Sequence, residues 1–145
     1  MRRALSSILL VAALGVSLGG TTPEEPSETL QPVVESYYKL APGKTEEWFA
    51  LYSKEHLPIL RARQQAGDIQ RIIIYRPFLH QGGPPWDYKV ILVYRDFAAL
   101  GNRAQFDALE RRRYSDWERH RRAERRRWEI TEKHWDNIMV EVGAD

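Results

Sequence analysis

His56 is the residue of this sequence best placed for acid–base chemistry. Phe49, Tyr52, His56 and Ile59 recur at spacings of three and four, so they share one face of a predicted helix. A histidine on such an apolar face can act as a general base. Alternatively, its ring bonds to a backbone carbonyl that Pro58 leaves free, because proline removes a helical N–H donor. We favour this second interpretation, since a proline kink supplies such an acceptor.

Further side chains could line or cover a ligand-binding cleft. His80 and Trp86 flank the loop sequence Gly-Gly-Pro-Pro, and loops carry function more often than strands do. These two side chains either form a lid or simply decorate a hairpin turn. Tyr75 and Tyr94 stand on adjacent predicted strands, where they either line a cleft or serve as core aromatics. The candidate ligand-binding residues are therefore His56, Tyr52, Tyr75, Tyr94, His80 and Trp86.

Several kinds of chemistry are excluded or lack a motif. The chain contains no cysteine, which excludes disulfides, thiolate metal sites and a cysteine nucleophile. It shows no Ser-His-Asp order, glycine-rich phosphate loop or paired-carboxylate motif. His120 and His134 would lie about 21 Å apart along one continuous helix, so they predict no metal site. The sequence therefore assigns no catalytic residue and no metal.

The N-terminal residues have the layout of a secretory signal peptide. Two arginines precede an apolar stretch from Ala4 to about Leu18, and small residues suit cleavage after Gly19. The apolar stretch is short and interrupted, which disfavours a permanent membrane span, and no cysteine follows for a lipid anchor. We expect residues 1–19 to be a cleaved signal and residues 20–32 a flexible tether. Residues 33–145 would then form a periplasmic or secreted domain.

Removal of this signal changes the charge balance of the protein. The 145-residue chain has 22 lysines and arginines against 20 acidic residues, and two of the arginines belong to the signal. The mature chain would be formally neutral, and such an exported protein has no general attraction to nucleic acid. We expect no nucleic-acid partner, despite the arginine-rich sequence between Arg111 and Ile130.

Secondary-structure signals predict four strands and two helical regions. Runs of β-branched and aromatic residues mark the strands, and a short loop makes the second and third an antiparallel hairpin. Two right-handed crossovers around that hairpin predict an α+β, ferredoxin-like βαββαβ sandwich, with both helical regions on one face of the sheet. The predicted strands are Val33–Leu40, Arg71–Phe78, a strand from Tyr88, and Asn137–Val142.

The first helix is expected to begin at a Thr45 cap, to kink at Pro58 and to end near Gly67. Asp96 caps the second helical region, which Gly101-Asn102 interrupts early. These signals leave a long helical extension before the last strand.

The arginine-rich sequence is interpreted as the solvated side of that extension. Ser115 and Glu118 form a capping-box pattern that restarts the helix at Asp116. Acidic residues are interleaved with the arginines and lysines at the favoured i,i+4 spacing. The predicted pairs are Asp107 with Arg111, Glu118 with Arg122, and Glu129 with Lys133. The tryptophans that would share one buried stripe on this helix are Trp117, Trp128 and Trp135.

The predicted sheet has two apolar faces but helices for only one. Ile73 and Tyr75 oppose Ile72 and Ile74 on the second strand, and the third strand shows the same lack of polar alternation. A second copy of the chain is the simplest cover for the remaining face, so we expect a homodimer. The alternative is that the tether or the C-terminal helix folds over this face.

Two stretches of the chain resemble a known group of proteins. The sequences are "YYKLAPGKTEEWFALYSKEHLPI" and "WDYKVILVYRDFAAL". With the βαββαβ order they are similar to the dimeric α+β barrel superfamily, especially its NIPSNAP-type and antibiotic-biosynthesis-monooxygenase-type members, including uncharacterised exported bacterial proteins. The resemblance covers Val33 to about Val142. It implies a cleft between sheet and helices, but fold alone does not choose a chemistry.

Members of this superfamily include cofactor-independent oxygenases, haem-degrading enzymes, isomerases and proteins without known activity. The resemblance therefore implies that the cleft binds a small apolar or aromatic ligand, with oxygenase-like chemistry as one version and haem ligation by His56 as another. No cofactor is required by the sequence itself. The alternative is a non-catalytic exported dimer that associates with partners through its basic helical face.

Overall fold

The computed structural model describes residues 30–79 and 85–142, so the predicted signal peptide, most of the tether and His80 lie outside the described residues. Four strands form one antiparallel sheet in the order β2-β3-β1-β4, and helices cover one of its faces. The predicted α+β class and βαββαβ order are confirmed. The elements are β1 (Pro32–Leu40), α1 (Thr45–Leu51), a π-helix (Tyr52–His56), α2 (Leu57–Gln65), β2 (Ile69–Tyr75), β3 (Tyr88–Tyr94), α3 (Phe97–Gly101), α4 (Arg103–Arg113), α5 (Trp117–Glu129) and β4 (Thr131–Val140).

The two central strands place alternate side chains on opposite faces of the sheet. Along β1 and β3 every second residue is buried and the residues between are half-buried, as the two-residue period of a strand requires. The helix-facing side is aromatic at one end, where Trp48 stacks on Tyr52 and Tyr88 with centroid separations of 4.9 and 5.1 Å. These rings belong to the hydrophobic core and pack α1 against the sheet.

The first helical region is interrupted by the π-helix just before Pro58. The carbonyl of Lys54 would accept a hydrogen bond from residue 58 in a regular α-helix, but proline has no N–H to donate. The Tyr114 hydroxyl instead donates to the carbonyls of Lys54 (3.2 Å) and Glu55 (2.6 Å). The predicted irregularity at Pro58 is confirmed. Its free acceptor is satisfied by Tyr114, not by His56.

Side-chain caps define the short helices after β3. Asp96 accepts from the N–H of Ala99 at 2.6 Å, as predicted, and Asn102 caps α4. The cap of α5 is Asp116, whose carboxylate accepts from the N–H of Arg119 at 2.9 Å. The predicted Ser115 cap was therefore one residue early.

Two other boundaries differ from expectation. Thr45 is the first residue of α1, after Lys44, and makes no capping bond. β2 ends at Tyr75 instead of Phe78, because Pro77 has no N–H with which to continue the ladder. Gly67, with φ of 83°, follows the end of α2 as a left-handed terminator, which confirms the predicted end of that helix.

The predicted stripe of three tryptophans is wrong. α5 ends at Glu129, and Trp135 belongs to β4, where it stacks on Tyr37 at 5.0 Å on the face of the sheet away from the helices. β4 begins at Thr131, six residues before the predicted start, because pairing with β1 overrides the helical spacing of the tryptophans. The predicted Glu129–Lys133 pair is lost with it, since Lys133 lies on the strand.

Several arginines of α5 make tertiary ion pairs instead of lining a purely solvated side. Arg119 reaches Glu55 at 2.7 Å and Arg126 reaches Glu47 at 2.7 Å, so both connect α5 to the first helical region. Arg127 is buried, with 1% of its surface exposed. The interpretation of the arginines as solvated is therefore wrong for Arg127, whereas the side chains of Arg119 and Arg126 remain 41% and 43% exposed.

The face of the sheet opposite the helices carries an apolar patch, and we call this face the open face. On it Ile73 pairs with Ile91, and Val33 pairs with both Val93 and Met139, which is 42% exposed on the edge strand. Charged side chains lie beside these pairs, namely Glu35, Arg71 and Lys89. Within the described ranges no helix is long and apolar enough to cross a membrane. The apolar members of the open face are Val33, Ile73, Ile91, Val93 and Met139.

Candidate functional site

A cleft of about 370 Å³ lies between the helix-facing side of the sheet and helices α2 to α5. Its volume falls at the lower end of the range of small-molecule sites, which is roughly 300–1,000 Å³. The walls combine apolar surface with a small number of polar groups that converge on the same space. The apolar walls are Val34, Leu60, Leu92, Leu100, Phe106 and Ile138.

His56 forms part of the cleft wall at the end of the π-helix. Its ring lies 5.2 Å from the Tyr52 ring and 6.0 Å from the Phe106 ring, measured between centroids. Burial, followed by the positive charge of Arg127, lowers the pKa of His56 to about 4. Its ring nitrogens make no hydrogen bond within residues 30–79 and 85–142. His56 is therefore a neutral imidazole at pH 7 with free hydrogen-bonding capacity at the cleft.

The two tyrosines near His56 have different positions. Tyr94 lines the cleft, and the guanidinium of Arg63 lies 5.2 Å from its ring centroid. Tyr52 is 1% exposed and supports His56 from the core side, so it positions the imidazole without lining the cleft. Burial raises the pKa of both phenols, which keeps them protonated.

The structure does not bring Tyr75 and Trp86 to this cleft. Tyr75 pairs in register with Lys89 on the open face and is 46% exposed. Trp86 packs edge-on against Tyr37, also on the open face, at 5.9 Å. Both residues were expected near the cleft. The alternation of side chains along β2 places Tyr75 on the opposite side of the sheet, and Trp86, which precedes β3, packs on that side against Tyr37. His80 lies outside the described residues.

β4 supplies cleft residues that the sequence analysis missed. His134 stacks on Tyr38 at 4.4 Å, and its Nδ1 is 2.9 Å from the carbonyl oxygen of Tyr37. Its Nε2 is 3.4 Å from the Asp136 carboxylate, which pairs in register with Ser36 across the sheet. The sequence analysis assigned these positions to a helix, so no pattern pointed to them as neighbours of His56.

Two buried arginines also line the cleft and were missed. Arg63 is 4% exposed and Arg127 is 1% exposed. Arg63 lies four residues after the buried Ile59 on α2, and this spacing would have placed it on the core side of the helix. Long basic residues are seldom fully buried, so their charge concealed them.

A buried polar cluster behind the cleft holds α5 against the π-helix. His120 is 1% exposed, and its two ring nitrogens lie 3.0 Å from carboxylate oxygens of Glu55 and Glu110. Burial of Glu55 opposes its ionisation, but hydrogen bonds from Arg119 and His120 outweigh that effect and lower the pKa of the carboxyl group. In the described part of the chain, no group of three or more metal-ligating side chains has an arrangement that could hold a metal ion. These contacts stabilise the packing of α5 against the π-helix.

Comparison with known proteins identifies the architecture. A dimeric ferredoxin-like protein from an uncultured marine organism matches with a TM-score of 0.54 and 11% identity, over 81% of this chain and 92% of that one. A NIPSNAP family protein from Agrobacterium tumefaciens strain C58 matches with a TM-score of 0.53 and 18% identity, over 77% and 93%.

The chain has a ferredoxin-like fold. The expected resemblance to NIPSNAP-type and dimeric ferredoxin-like proteins is thereby confirmed at the level of the fold. No family model matches the sequence, and no curated protein matches it. Function must therefore be argued from the cleft itself.

Proposed function

We propose that this protein binds a small, largely apolar ligand of one or two rings in the cleft between sheet and helices. One observation carries the proposal: a neutral His56, whose ring nitrogens make no hydrogen bond within the described residues, lines a concave space with largely apolar walls. Concave apolar sites with a few converging polar groups are the usual form of a ligand site. Ser36, Tyr94 and Asp136 supply further polar atoms at the wall.

Binding is better supported than proton abstraction. An imidazole with a pKa of about 4 holds an abstracted proton weakly, whereas a general base works best with a pKa near the operating pH. We propose that His56 orients the ligand through a hydrogen bond. Oxygenase-like chemistry would require the bound ligand to raise the basicity of His56.

The size of the cleft favours such a ligand over haem. A volume of about 370 Å³ suits one or two rings, whereas a tetrapyrrole is larger and would have to displace lining side chains. Haem titration provides the direct comparison. A Soret band that shifts on binding and disappears in His56→Ala would establish the haem version instead.

The cleft is tested with prodan, an uncharged fluorescent probe with a two-ring aromatic body. We expect Leu100→Trp to weaken its binding at least tenfold, because the indole would fill the cleft wall at α3. Leu57→Trp is the matched control, since Leu57 lines a separate hollow beside Pro58 and should leave the affinity unchanged. Equal affinities in both variants would contradict the proposal and favour the interaction role through the basic helical face.

We also propose that the open face binds a second copy of the chain. The support is its uncovered apolar surface together with the description of one structural neighbour as dimeric. Ile91→Lys should dissociate the dimer in sedimentation-velocity measurements, because it would bury an added charge in the apolar part of this face, beside the Glu35–Lys89 ion pair. Ile138→Lys, on the helix-facing side of β4, is the control. A wild-type monomer at micromolar concentration would contradict the proposed homodimer.

Export remains a proposal that rests on the N-terminal sequence alone. The charged start, short apolar stretch and small residues before Gly20 support a cleaved signal. Mass spectrometry of the expressed protein after cell fractionation tests it. We expect a periplasmic or secreted chain that begins after Gly19, and an uncleaved chain in the cytoplasmic fraction would contradict it.

A further inference from the structure

The cleft contains more buried hydrogen-bond donors than acceptors, and Arg63 shows this clearly. A guanidinium carries five N–H donors. Within the described residues, Nη2 of Arg63 donates to the carbonyl of Ala99, and the buried Nε has no partner. Asp68 lies 3.5 Å from the same Nη2 without forming a hydrogen bond, and its Oδ2 also lacks a partner. The ion pair of Arg63 with Asp68 therefore leaves one guanidinium donor and one carboxylate oxygen without a hydrogen bond.

Arg127 shows the same excess of donors on the α5 side. Its Nε and Nη2 donate to the two carboxylate oxygens of Glu124, at 3.2 and 2.7 Å. Nη1 is buried and has no partner among the described residues. The guanidinium also lies 5.7 Å from the Tyr52 ring and 4.7 Å from the Trp128 ring, so aromatic faces accompany the Glu124 carboxylate around it.

Guanidinium groups outnumber carboxylates at the cleft wall itself. Arg63, Arg103 and Arg127 line it, and the one carboxylate at the wall in the described ranges is Asp136, whose side chain is 46% exposed. The carboxylates that pair with these arginines, Asp68, Asp107 and Glu124, lie outside the wall. Arg103 and Trp128 also line a neighbouring hollow of about 510 Å³. Burial of unpaired guanidinium donors is unfavourable unless another molecule supplies acceptors.

We infer that the ligand of this cleft carries a carboxylate, which Arg63 and Arg127 bind, on the one- or two-ring apolar body proposed above. A charged acceptor makes roughly twice as strong a hydrogen bond to a guanidinium as a neutral one does. The apolar walls contributed by Leu60, Leu92 and Phe106 would hold the rings. This inference rests on the proposed binding function and specifies the chemical class of its ligand.

Three matched compounds test the inference on the unaltered protein. 2-Naphthoate carries a carboxylate, 2-naphthamide a neutral carbonyl, and 2-methylnaphthalene no acceptor, all on the same two-ring body. Binding is measured at neutral pH by the shifts of the tryptophan indole resonances in NMR spectra. We expect naphthoate to bind at least tenfold more tightly than naphthamide, and naphthamide to bind with an affinity similar to that of methylnaphthalene.

Variants then assign the carboxylate contact. Arg63→Met keeps the length and apolar stem of the side chain, and Arg127→Lys keeps a charge beside Glu124 while removing the guanidinium donors. Each should reduce the affinity for naphthoate about tenfold and leave that for naphthamide unchanged. Arg122→Met, at an exposed position of α5, is the control and should change neither affinity.

The outcomes separate the inference from the proposed function. Equal affinities for naphthoate and naphthamide in the wild-type protein would overturn the carboxylate inference while leaving the ligand-binding cleft intact. Water molecules would then be the partners of the free donors. Failure of all three compounds to bind at millimolar concentration would overturn the proposed function and the inference together. Because the comparison of compounds needs no variant, a misfolded arginine variant does not affect it.

Discussion

The low pKa of His56 predicts that the protein loses stability between pH 7 and pH 5. Burial first, and the charge of Arg127 second, lower the pKa of this imidazole from 6.5 to about 4 in the folded chain. Between these two values the unfolded chain binds a proton that the folded chain does not bind. The contribution of His56 to stability is therefore complete above pH 6.5 and is lost progressively as the pH falls towards 4.

The expected size follows from the interval between the unfolded pKa and the measuring pH. At pH 5 the interval is about 1.5 units, and one unit corresponds to about 1.4 kcal/mol, which gives about 2 kcal/mol. The ring is half-buried at the cleft wall, where water can stabilise part of the charge. We therefore expect a loss of about 1–2 kcal/mol between pH 7 and pH 5.

Urea unfolding of the wild type and of His56→Gln measures this loss. The free energy of unfolding of the wild type should fall by about 1–2 kcal/mol more than that of the variant over this interval. An NMR titration of the His56 Cε1–H resonance should show a midpoint near pH 4. Equal pH dependence in the two proteins, or a midpoint near 6.5, would refute the reasoning about burial and also remove the argument for a neutral imidazole.

Three further substitutions and one control substitution test the contacts around the site, each by urea unfolding. Tyr114→Phe should lower the free energy of unfolding by about 1–2 kcal/mol, because the hydroxyl bonds the Glu55 carbonyl and also reaches the Lys54 carbonyl, which Pro58 cannot serve. An unchanged value would contradict that role. Glu55→Gln should lower the free energy of unfolding by about 3 kcal/mol or more at pH 7, because it leaves His120 and Arg119 without this carboxylate. The difference in stability between wild type and variant should shrink below pH 4.5, as the wild-type carboxyl group becomes protonated. Asp116→Ala should cost about 1 kcal/mol through loss of the α5 cap, whereas Ser115→Ala should have almost no effect; the reverse order would restore the capping box predicted from the sequence.

The sequence predicted the elements with strong local signals. Apolar runs bounded by glycine and proline marked β1 and β3, Asp96 marked the start of α3, and Gly67 marked the end of α2. It also placed His56 on the inner face of its helix. These successes have one cause: hydrophobic period, capping and turn geometry depend on residues close together in the chain.

Local sequence patterns were misleading where the structure depends on contacts between residues far apart in the chain. Trp135 fits a helical stripe by spacing, yet it lies on β4 because that segment completes the sheet beside β1. Arg127 looked solvated because it is charged, but Glu124 and two aromatic rings make its burial possible. Tyr114 gave no local sign that it would serve the carbonyls of the π-helix, since its partners lie about sixty residues away in the chain.

By itself the sequence determined the fold class, the apolar open face and the position of one histidine on an inner helix face. The tertiary structure alone decided what surrounds that histidine. In the folded protein Tyr75 and Trp86 lie on the opposite side of the sheet, and Arg63 and Arg127 line the cleft. The reason is physical: local periodicity assigns a face to a side chain, but only the packing of separate elements decides which side chains share a cavity and which donors remain unpaired.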